Sequence, residues 1–219
     1  LILVYTTIRD NVEKLISTLE TYPNEEEFYY NLRNIDRNQD EFIKLTDIEK
    51  AARVIYLNKT CYNGLYRVNN AGEFNSPFGK YKNPNIVNSP VLRAVSTYFN
   101  SAEIEFHSAD FSEILSALHR GTFVYLDPPY DPVSDTSSFT GYSRGGFNRE
   151  QQIQLRECCD SLTERGIKFM LSNSATDFIM KQYSNYHITV VKAKRIINSI
   201  ASKRGDVDEV IITNYEQHR

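Results

Sequence analysis

The sequence predicts an α/β domain with a mostly parallel sheet and a helical, loop-rich insertion. From residue 103 onward, strand-like segments alternate with helical ones, a pattern typical of a parallel sheet with helices on its faces. Residues 60–85 are instead dense in Asn, Gly and Pro, which indicates a loop or hairpin. The last two strand-like segments have no helix between them, so we expect them to form an antiparallel hairpin at the sheet edge.

The first half of the chain is predicted to be mainly helical. Apolar residues at positions 1, 4, 8, 12, 15 and 19 have helical spacing. Thr46 and Glu49 match a capping box that opens a helix to about residue 59. Ser89-Pro90 is typical of the start of another helix, which we expect to reach about residue 99. The polar, acidic stretch 21–45 predicts loop and short helix.

The second half supplies the sheet. The predicted helices are 112–119, a helix capped by Asn148 that stops at Gly166, and one within 174–183. The predicted strands are EIEFHSAD (103–110), TFVYLD (122–127), IKFMLSN (167–173), HITVVKA (187–193) and DEVIITNY (208–215). We therefore divide the chain into a sheet domain, residues 1–20 and 101–219, and an insertion, residues 21–100.

Composition is that of an ordinary soluble domain. The 219 residues contain 41% hydrophobic and 24% charged side chains. No apolar run approaches the ~20 residues of a membrane span, and no signal-peptide pattern is present, so we expect a cytoplasmic protein. Three cysteines, two of them adjacent, match neither a disulfide framework nor a zinc site.

Charge is distributed unevenly along the chain. The net charge is −3. Residues 51–95 carry six basic side chains and one acidic side chain, whereas residues 1–50 carry six basic and eleven acidic side chains. A second basic run lies between Lys192 and Arg204. Two positive zones could hold a polyanion on one face. On charge alone, two solvated surface patches explain them as well.

The segment GTFVYLDPPYDP (121–132) carries the clearest chemistry. Its apolar strand ends at Asp127, and ligands of open α/β sheets bind beyond such strand ends. Pro128 and Pro129 restrict the backbone, which leaves a carboxylate, one or two carbonyls and the Tyr130 ring on a rigid arc. Such an arc suits a planar base with an exocyclic amino group. The alternative is an ordinary proline turn with an exposed tyrosine.

These residues resemble a known family. YLDPPY is similar to motif IV of amino-group DNA methyltransferases, and YNGLYRVNNAGEFNSPFGKYKNP (62–84) resembles the target-recognition region of the GATC-methylating DNA-adenine methyltransferase (Dam) family. SADF (108–111) matches the family's motif III, and MLSNS and EVIITNYE match it as well. The recognition region precedes D-P-P-Y, which is the order of the alpha group. The resemblance covers nearly the whole chain.

The resemblance implies a Rossmann-like methyltransferase fold and methyl transfer from S-adenosylmethionine to adenine N6. The target adenine would be flipped out of the duplex. It implies that Asp127 and Pro128 accept hydrogen bonds from N6 and that Tyr130 stacks on the base, with Pro129 completing the motif. Asp110, Phe111 and Asp127 are implied as cofactor-binding residues, with Asp110 and Phe111 at the adenine end of the cofactor. No metal is implied.

The resemblance also implies a set of DNA contacts, with GATC-containing double-stranded DNA as the partner. Arg67 would read a guanine, and arginine suits a bidentate contact with guanine O6 and N7. Tyr62 and Asn63 would enter the space beside the flipped base, and Leu65 would contact a base. Lys80 and Tyr81 would meet the DNA backbone. Lys203 and Arg204, in the loop of the last hairpin, are predicted to meet phosphates, with simple surface solvation as the alternative. A structured loop with partly buried aromatic residues is the alternative, especially for Phe74 and Phe78.

The family's glycine-rich cofactor loop has no counterpart in these residues, because no G-x-G occurs in them. The first helix also starts at residue 1 without a cap or a preceding strand. We therefore expect an N-terminally truncated fragment that by itself binds S-adenosylmethionine poorly and methylates little. Two alternatives stay open: a non-catalytic DNA-binding remnant, and an amino methyltransferase acting on RNA or protein. Membership of a restriction system is also open, with no direct contact to an endonuclease implied.

Overall fold

A computed structural model describes residues 1–133, 147–194 and 206–216. These residues pack as two compact units, one formed by Leu1–Ser108 and the other by described residues from Ala109 onward. The helices are α1 (Ile2–Glu20), α2 (Glu26–Asn34), α3 (Gln39–Lys44), α4 (Asp47–Thr60), α5 (Ser89–Ser101), α6 (Phe111–Ala117), α7 (Arg149–Glu164) and α8 (Asp177–Gln182). The strands are β1 (Phe123–Leu126), β2 (Lys168–Ser174), β3 (His187–Lys194) and β4 (Asp206–Thr213).

The first unit is helical. The apolar stripe predicted for the first helix lies on α1, which packs against α4 and α5. The core of the first unit contains Leu15, Leu19, Tyr29, Tyr56 and Leu57, all buried. Packing therefore places α1 with the first unit, although the sequence grouped residues 1–20 with the sheet domain.

Side-chain caps set most of the helix starts that the sequence predicted. The capping boxes of Thr46 with Glu49 on α4 and of Asn148 with Gln151 on α7 are both present. The start of α5 differs by one residue, because Asn88 is the cap and its side chain accepts from the backbone N–H of Val91. Ser89 and Pro90 are already helical, where the missing N–H of proline costs nothing.

The second unit is built on a four-stranded sheet in the order β1-β2-β4-β3. The predicted hairpin is confirmed: β3 and β4 are antiparallel, with β3 at the sheet edge. The prediction of a mostly parallel sheet is wrong for the described strands, since only β1 and β2 are parallel and β4 pairs antiparallel with β2. Phe169, Leu171, Val210 and Ile212 point into one core that also contains residues of α7 and α8.

The predicted strand at residues 103–110 is not formed. This segment has no partner among the described strands, and a strand requires a neighbour for its main-chain hydrogen bonds. Phe106 instead packs against Tyr5 and Phe99, with ring centroids 5.5 and 5.0 Å away. The aromatic side chain is thus used for packing within the first unit.

Within the described ranges, no helix is both long enough and apolar enough to cross a bilayer. The three cysteines are free thiols.

Buried tyrosines make the first unit sensitive to alkaline pH. Tyr56 is fully buried and its hydroxyl donates to the Pro23 carbonyl at 2.8 Å. Burial raises the pKa of Tyr56 to about 12. The folded chain therefore keeps this proton where the unfolded chain, with a pKa of about 10, loses it. The corresponding stability is complete below pH ~10 and is lost as pH rises towards 12.

We expect the free energy of unfolding of Tyr56→Phe to fall less steeply than that of the wild type between about pH 10 and pH 12. Urea denaturation at several pH values measures this slope. Tyr98→Phe, at an exposed position of α5, should keep the wild-type slope. Equal slopes for the wild type and Tyr56→Phe would contradict the prediction.

Candidate active site and nucleic-acid interface

The D-P-P-Y segment directly follows β1, as predicted. Because β1 and β2 are parallel and paired from Phe123 with Lys168 to Leu126 with Leu171, their carboxyl ends lie side by side. Ser172, the next residue of β2, donates from Oγ to Asp127 Oδ1 at 2.8 Å. Asp127 itself is exposed. The result is an oriented carboxylate at the sheet's edge, open to a ligand.

Two tyrosines surround the same serine. The Tyr125 hydroxyl lies 3.3 Å from Ser172 Oγ. Tyr130 is half-buried, and loss of solvent raises its pKa above the ordinary tyrosine value, although a hydrogen bond with Ser172 acts in the opposite direction. Tyr130 is therefore a neutral aromatic ring at neutral pH, which suits stacking on a base.

The proline turn is held from outside, because neither proline has an N–H with which to form its own turn. Gln152 of α7 donates from Nε2 to the Pro129 carbonyl at 2.8 Å. The backbone N–H of Asp131 donates to Asn173 Oδ1 at 2.9 Å. Of the two proline carbonyls, the one at Pro129 is thus already an acceptor within the fold.

Asp131 completes the turn with a buried carboxylate. Its side chain is 1% exposed and pairs with Arg149, whose Nε lies 3.1 Å from Oδ1. Thr176, the cap of α8, donates to Oδ2 at 2.7 Å. A buried carboxylate needs such partners to be tolerated. Three elements, β2, α7 and α8, therefore converge on the residue that follows D-P-P-Y.

Sequence reasoning assigned no role to Ser172, Gln152, Asn173 or Asp131. The motif-like stretch MLSNS contained two of them, and Asp131 directly follows the tyrosine of D-P-P-Y. The missing information is tertiary: the pairing of β1 with β2 brings Ser172 and Asn173 to the turn, and the packing of α7 brings Gln152.

The predicted cofactor residues lie at the start of α6 in the same unit. Asp110 is the helix cap, and its Oδ1 accepts from the backbone N–H of Ser112 at 2.9 Å and from that residue's hydroxyl. The bond from the Ser112 hydroxyl contributes most, followed by the bond from its backbone N–H, and together they lower the pKa of Asp110. Asp110 is therefore a carboxylate at neutral pH. Phe111 packs against Phe147 with ring centroids 5.9 Å apart.

In the first unit, residues 61–78 form an irregular hairpin. Two isolated bridges join its arms, Cys61 with Phe78 and Val68 with Phe74. Six residues, 62–67, lie between these bridges on the first arm, but only residues 75–77 lie between them on the second. The first arm must therefore bulge, and it does so in a 3₁₀ turn at Tyr62–Gly64.

This bulge presents two of the predicted DNA-contacting residues. Tyr62 is 57% exposed. Asn63 and Gly64 follow with φ of 56° and 61°, a left-handed conformation that asparagine and glycine tolerate better than other residues. Asn58 of α4 supports the bulge by donating from Nδ2 to the Gly64 carbonyl at 2.9 Å.

Arg67 lies on the first arm with an oriented side chain. Its Nε donates to Asn75 Oδ1 at 2.7 Å, and its Nη2 donates to the Asn75 carbonyl at 3.3 Å. Leu65, also on this arm, is half-buried, and its carbonyl accepts from the Ser76 hydroxyl. The second arm thus fixes the guanidinium plane of the residue predicted to read guanine.

Lys80 and Tyr81 follow the second arm. Lys80 has φ of 54°, uncommon for a lysine, and its exposed ammonium lies 3.6 Å from the Glu26 carboxylate. The Tyr81 carbonyl accepts from Asn24 Nδ2 at 2.8 Å. The preceding Gly79 approaches the backbone of α4's end so closely that a Cβ would lie 2.8 Å from the Cys61 carbonyl oxygen.

The interior of the hairpin is anchored to α2 and to the 3₁₀ turn Ile35–Arg37 that follows it. The Tyr29 hydroxyl donates to the Ser76 carbonyl at 2.8 Å. Asp36 Oδ2 accepts from the Phe74 N–H at 2.9 Å and pairs with the buried Arg53 at 2.7 Å. Phe74 is buried and Phe78 is partly buried, which agrees with the alternative of a packing role for these two rings.

The structure thus groups Tyr62, Asn63, Leu65, Arg67, Lys80 and Tyr81 on one hairpin and its flank. Asp110, Phe111 and the four residues of D-P-P-Y lie in the second unit. Lys203 and Arg204 lie outside the described residues.

Comparison with known proteins identifies the family. The model of the D12 class N6 adenine-specific DNA methyltransferases matches residues 1–197. The chain belongs to this family. Membership agrees with the α/β fold and with D-P-P-Y at the end of β1. It also favours a DNA methyltransferase over the alternative of an enzyme that modifies RNA or protein.

Several curated relatives of this adenine-specific DNA methyltransferase are similar along most of its length. It is 40% identical over 217 residues to the type II methyltransferase M1.LlaDCHI of Lactococcus lactis subsp. cremoris, covering 98% of this chain and 76% of that protein. It is 40% identical over 227 residues to M.MjaIII of Methanocaldococcus jannaschii, covering 98% and 77%. It is 35% identical over 186 residues to the DNA adenine methylase of Escherichia coli K12, covering 84% and 64%.

We expect Gly79→Ala to lower the free energy of unfolding by about 1–3 kcal/mol, because main-chain carbonyls must move to admit the methyl group. Chemical denaturation measures this loss. Asn70→Ala, at the exposed tip of the same hairpin, should change it by less than about 0.5 kcal/mol. Similar values for the two variants would mean that the close approach at Gly79 is not a constraint.

Proposed function

We propose that this methyltransferase transfers a methyl group from S-adenosylmethionine to N6 of a flipped adenine, within GATC in duplex DNA. One observation carries the proposal: Asp127 is exposed, yet oriented by Ser172 beside a turn whose geometry is held by two buried side chains. An oriented carboxylate beside a rigid carbonyl is an acceptor pair for an amino group.

In this proposal the acceptor pair is Asp127 with the Pro128 carbonyl, because the Pro129 carbonyl already accepts from Gln152. Two acceptors would hold both N6 hydrogens and direct the nitrogen's remaining electron pair away from the turn. Positive charge that develops on N6 during transfer would face the Asp127 carboxylate, which stabilises it electrostatically. Tyr130 would hold the base by stacking, so orientation is the other main contribution.

S-adenosylmethionine, when bound, supplies a methyl carbon activated by its sulfonium group. The residues present fit the adenine end of this cofactor. Both bonds from Ser112 reach Asp110 Oδ1, so Oδ2 would accept from an adenine amino group. The lowered pKa of Asp110 keeps this acceptor ionised at neutral pH, and Phe111 offers an adjacent ring.

The hairpin supports recognition of DNA. An exposed tyrosine on a left-handed bulge, Tyr62, suits insertion beside a base that has left the stack. Asn75 accepts from Arg67 Nε and Nη2 and so orients the guanidinium, and Nη1 with the second N–H of Nη2 would contact a guanine. Lys80 presents an ammonium that can contact a phosphate, although not as a bidentate fork.

The names of the relatives point to different biological systems. Two are named type II methyltransferases, and others are named DNA adenine methylase or retron DNA adenine methylase. We propose the GATC target from the resemblance of residues 62–84 to the Dam recognition region. A role inside a restriction–modification system is compatible with the same site.

We expect Asp127→Ala to abolish methyl transfer to a GATC duplex and to leave DNA affinity within about threefold of the wild type, because orientation and charge stabilisation are lost but the hairpin is untouched. Labelled-methyl incorporation and fluorescence anisotropy with the complete gene product measure the two quantities. Glu164→Ala, an exposed acid of α7, is the control. Full incorporation by Asp127→Ala would contradict the proposed function.

We expect Arg67→Ala to lose discrimination at a single guanine by about 1–3 kcal/mol, since a bidentate contact is removed. Transfer rates on GATC and on duplexes with one guanine substituted give the ratio. Lys80→Ala should instead weaken binding to all duplexes alike and reduce its salt dependence. An unchanged preference in Arg67→Ala would exclude this residue as the guanine reader.

A further inference from the structure

The two buried amides that hold the D-P-P-Y turn, Gln152 and Asn173, also bond to each other. Gln152 on α7 is 1% exposed and Asn173 on β2 is 0% exposed. Asn173 Nδ2 donates to Gln152 Oε1 at 3.1 Å, and Gln152 Nε2 donates to the Pro129 carbonyl at 2.8 Å. Buried amides of this kind are costly unless every donor and acceptor is matched.

The polarity of this chain of bonds is determined at both ends by the backbone. Asn173 Oδ1 accepts from the N–H groups of Asp131 and Ser174, each at 2.9 Å. Backbone N–H groups can only donate, so the amide nitrogen of Asn173 must face Gln152. Gln152 must then present its oxygen to Asn173 and its nitrogen to Pro129, whose carbonyl can only accept.

We propose that Asn173 and Gln152 are a pair of positioning residues for methyl transfer. Asn173 holds the Asp131 end of the turn and orients the Gln152 amide, and Gln152 then holds the Pro129 carbonyl. The turn is thereby fixed on both sides of Tyr130. The peptide that carries the Pro128 carbonyl keeps its direction relative to Asp127, which Ser172 holds separately.

The expected consequence is kinetic. The acceptor pair must match the two N6 hydrogens, and small displacements of such groups have large effects on rate. DNA affinity comes in this scheme from the hairpin of the first unit, and cofactor affinity from Asp110 and its surroundings. Loss of the amide pair should therefore slow the transfer step without a comparable loss of binding. The inference rests on the proposed function.

The experiment compares Gln152→Met and Asn173→Asp in the complete gene product. Methionine keeps the volume of Gln152 but has no donor for Pro129. Aspartate keeps the acceptor for both N–H groups but replaces the donor to Gln152, so the Gln152 amide should reverse and turn its oxygen towards the Pro129 carbonyl. We expect single-turnover transfer to slow roughly 10–100-fold in each variant. Kd values for a GATC duplex and for S-adenosylmethionine should stay within about threefold of wild type.

The double variant tests whether the two residues act as one chain. If Asn173 acts through Gln152, adding Asn173→Asp to Gln152→Met should slow transfer little further, since the interaction is already broken. If the slowing of the double variant equals the product of the two single effects, Asn173 does not act through Gln152. Gln154→Met, an exposed glutamine on the same helix, is the control and should transfer at the wild-type rate.

Three results would overturn the proposal: unchanged transfer rates, rates that fall only in proportion to lost affinity, or a lower melting temperature with a normal rate per folded molecule. If Gln152→Met does not fold, Asn173→Asp, which keeps both bonds from the backbone, still decides between these results. Asp127→Ala, measured in parallel, distinguishes failure of the proposed function from failure of the positioning role. Full activity of Asp127→Ala refutes the proposed function. If Asp127→Ala loses activity while the Gln152 and Asn173 variants keep it, only the positioning role is refuted.

Discussion

The turn after β1 depends on hydrogen bonds that it cannot make for itself. Two consecutive prolines remove both main-chain donors, so the turn's shape is set by side chains that arrive from β2 and α7. Ser172 orients the carboxylate of Asp127, Gln152 holds the Pro129 carbonyl, and Asn173 holds the N–H of Asp131. This requirement explains why buried polar residues lie at the end of an otherwise apolar strand.

The same principle explains the hairpin of the first unit. Its arms share only two bridges, too few for a regular ladder to define their conformation. Tyr29, Asp36 and Asn58 supply the missing bonds from the underlying helices. The buried pairing of Arg53 with Asp36 is tolerated because each partner also bonds the backbone. Tyr62 stays exposed on the bulge of the hairpin, and Lys80 stays exposed just after the second arm.

Local patterns predicted the elements that depend on local physics. The helical stripe of α1, the capping boxes at Thr46 and Asn148 and the terminal hairpin all follow from residue spacing and short-range bonds. The strand at 103–110 was predicted wrongly, because alternation of polar and apolar residues shows a buried face but not a pairing partner. The parallel character of the sheet was overestimated because the sequence does not show which strands are neighbours. β4 lies between β2 and β3 and is antiparallel to both.

The sequence alone determined the chemical type of the site: an acid, two prolines and a tyrosine at the end of an apolar strand, and a loop rich in aromatic and basic residues. Only the tertiary structure decided which groups hold that acid and which proline carbonyl is already occupied. Gln152 and Asn173 lie 23 and 44 residues beyond Pro129 in the chain. Their role follows from strand pairing and helix packing, which bring distant residues within hydrogen-bond reach, and short-range sequence patterns do not contain such distances.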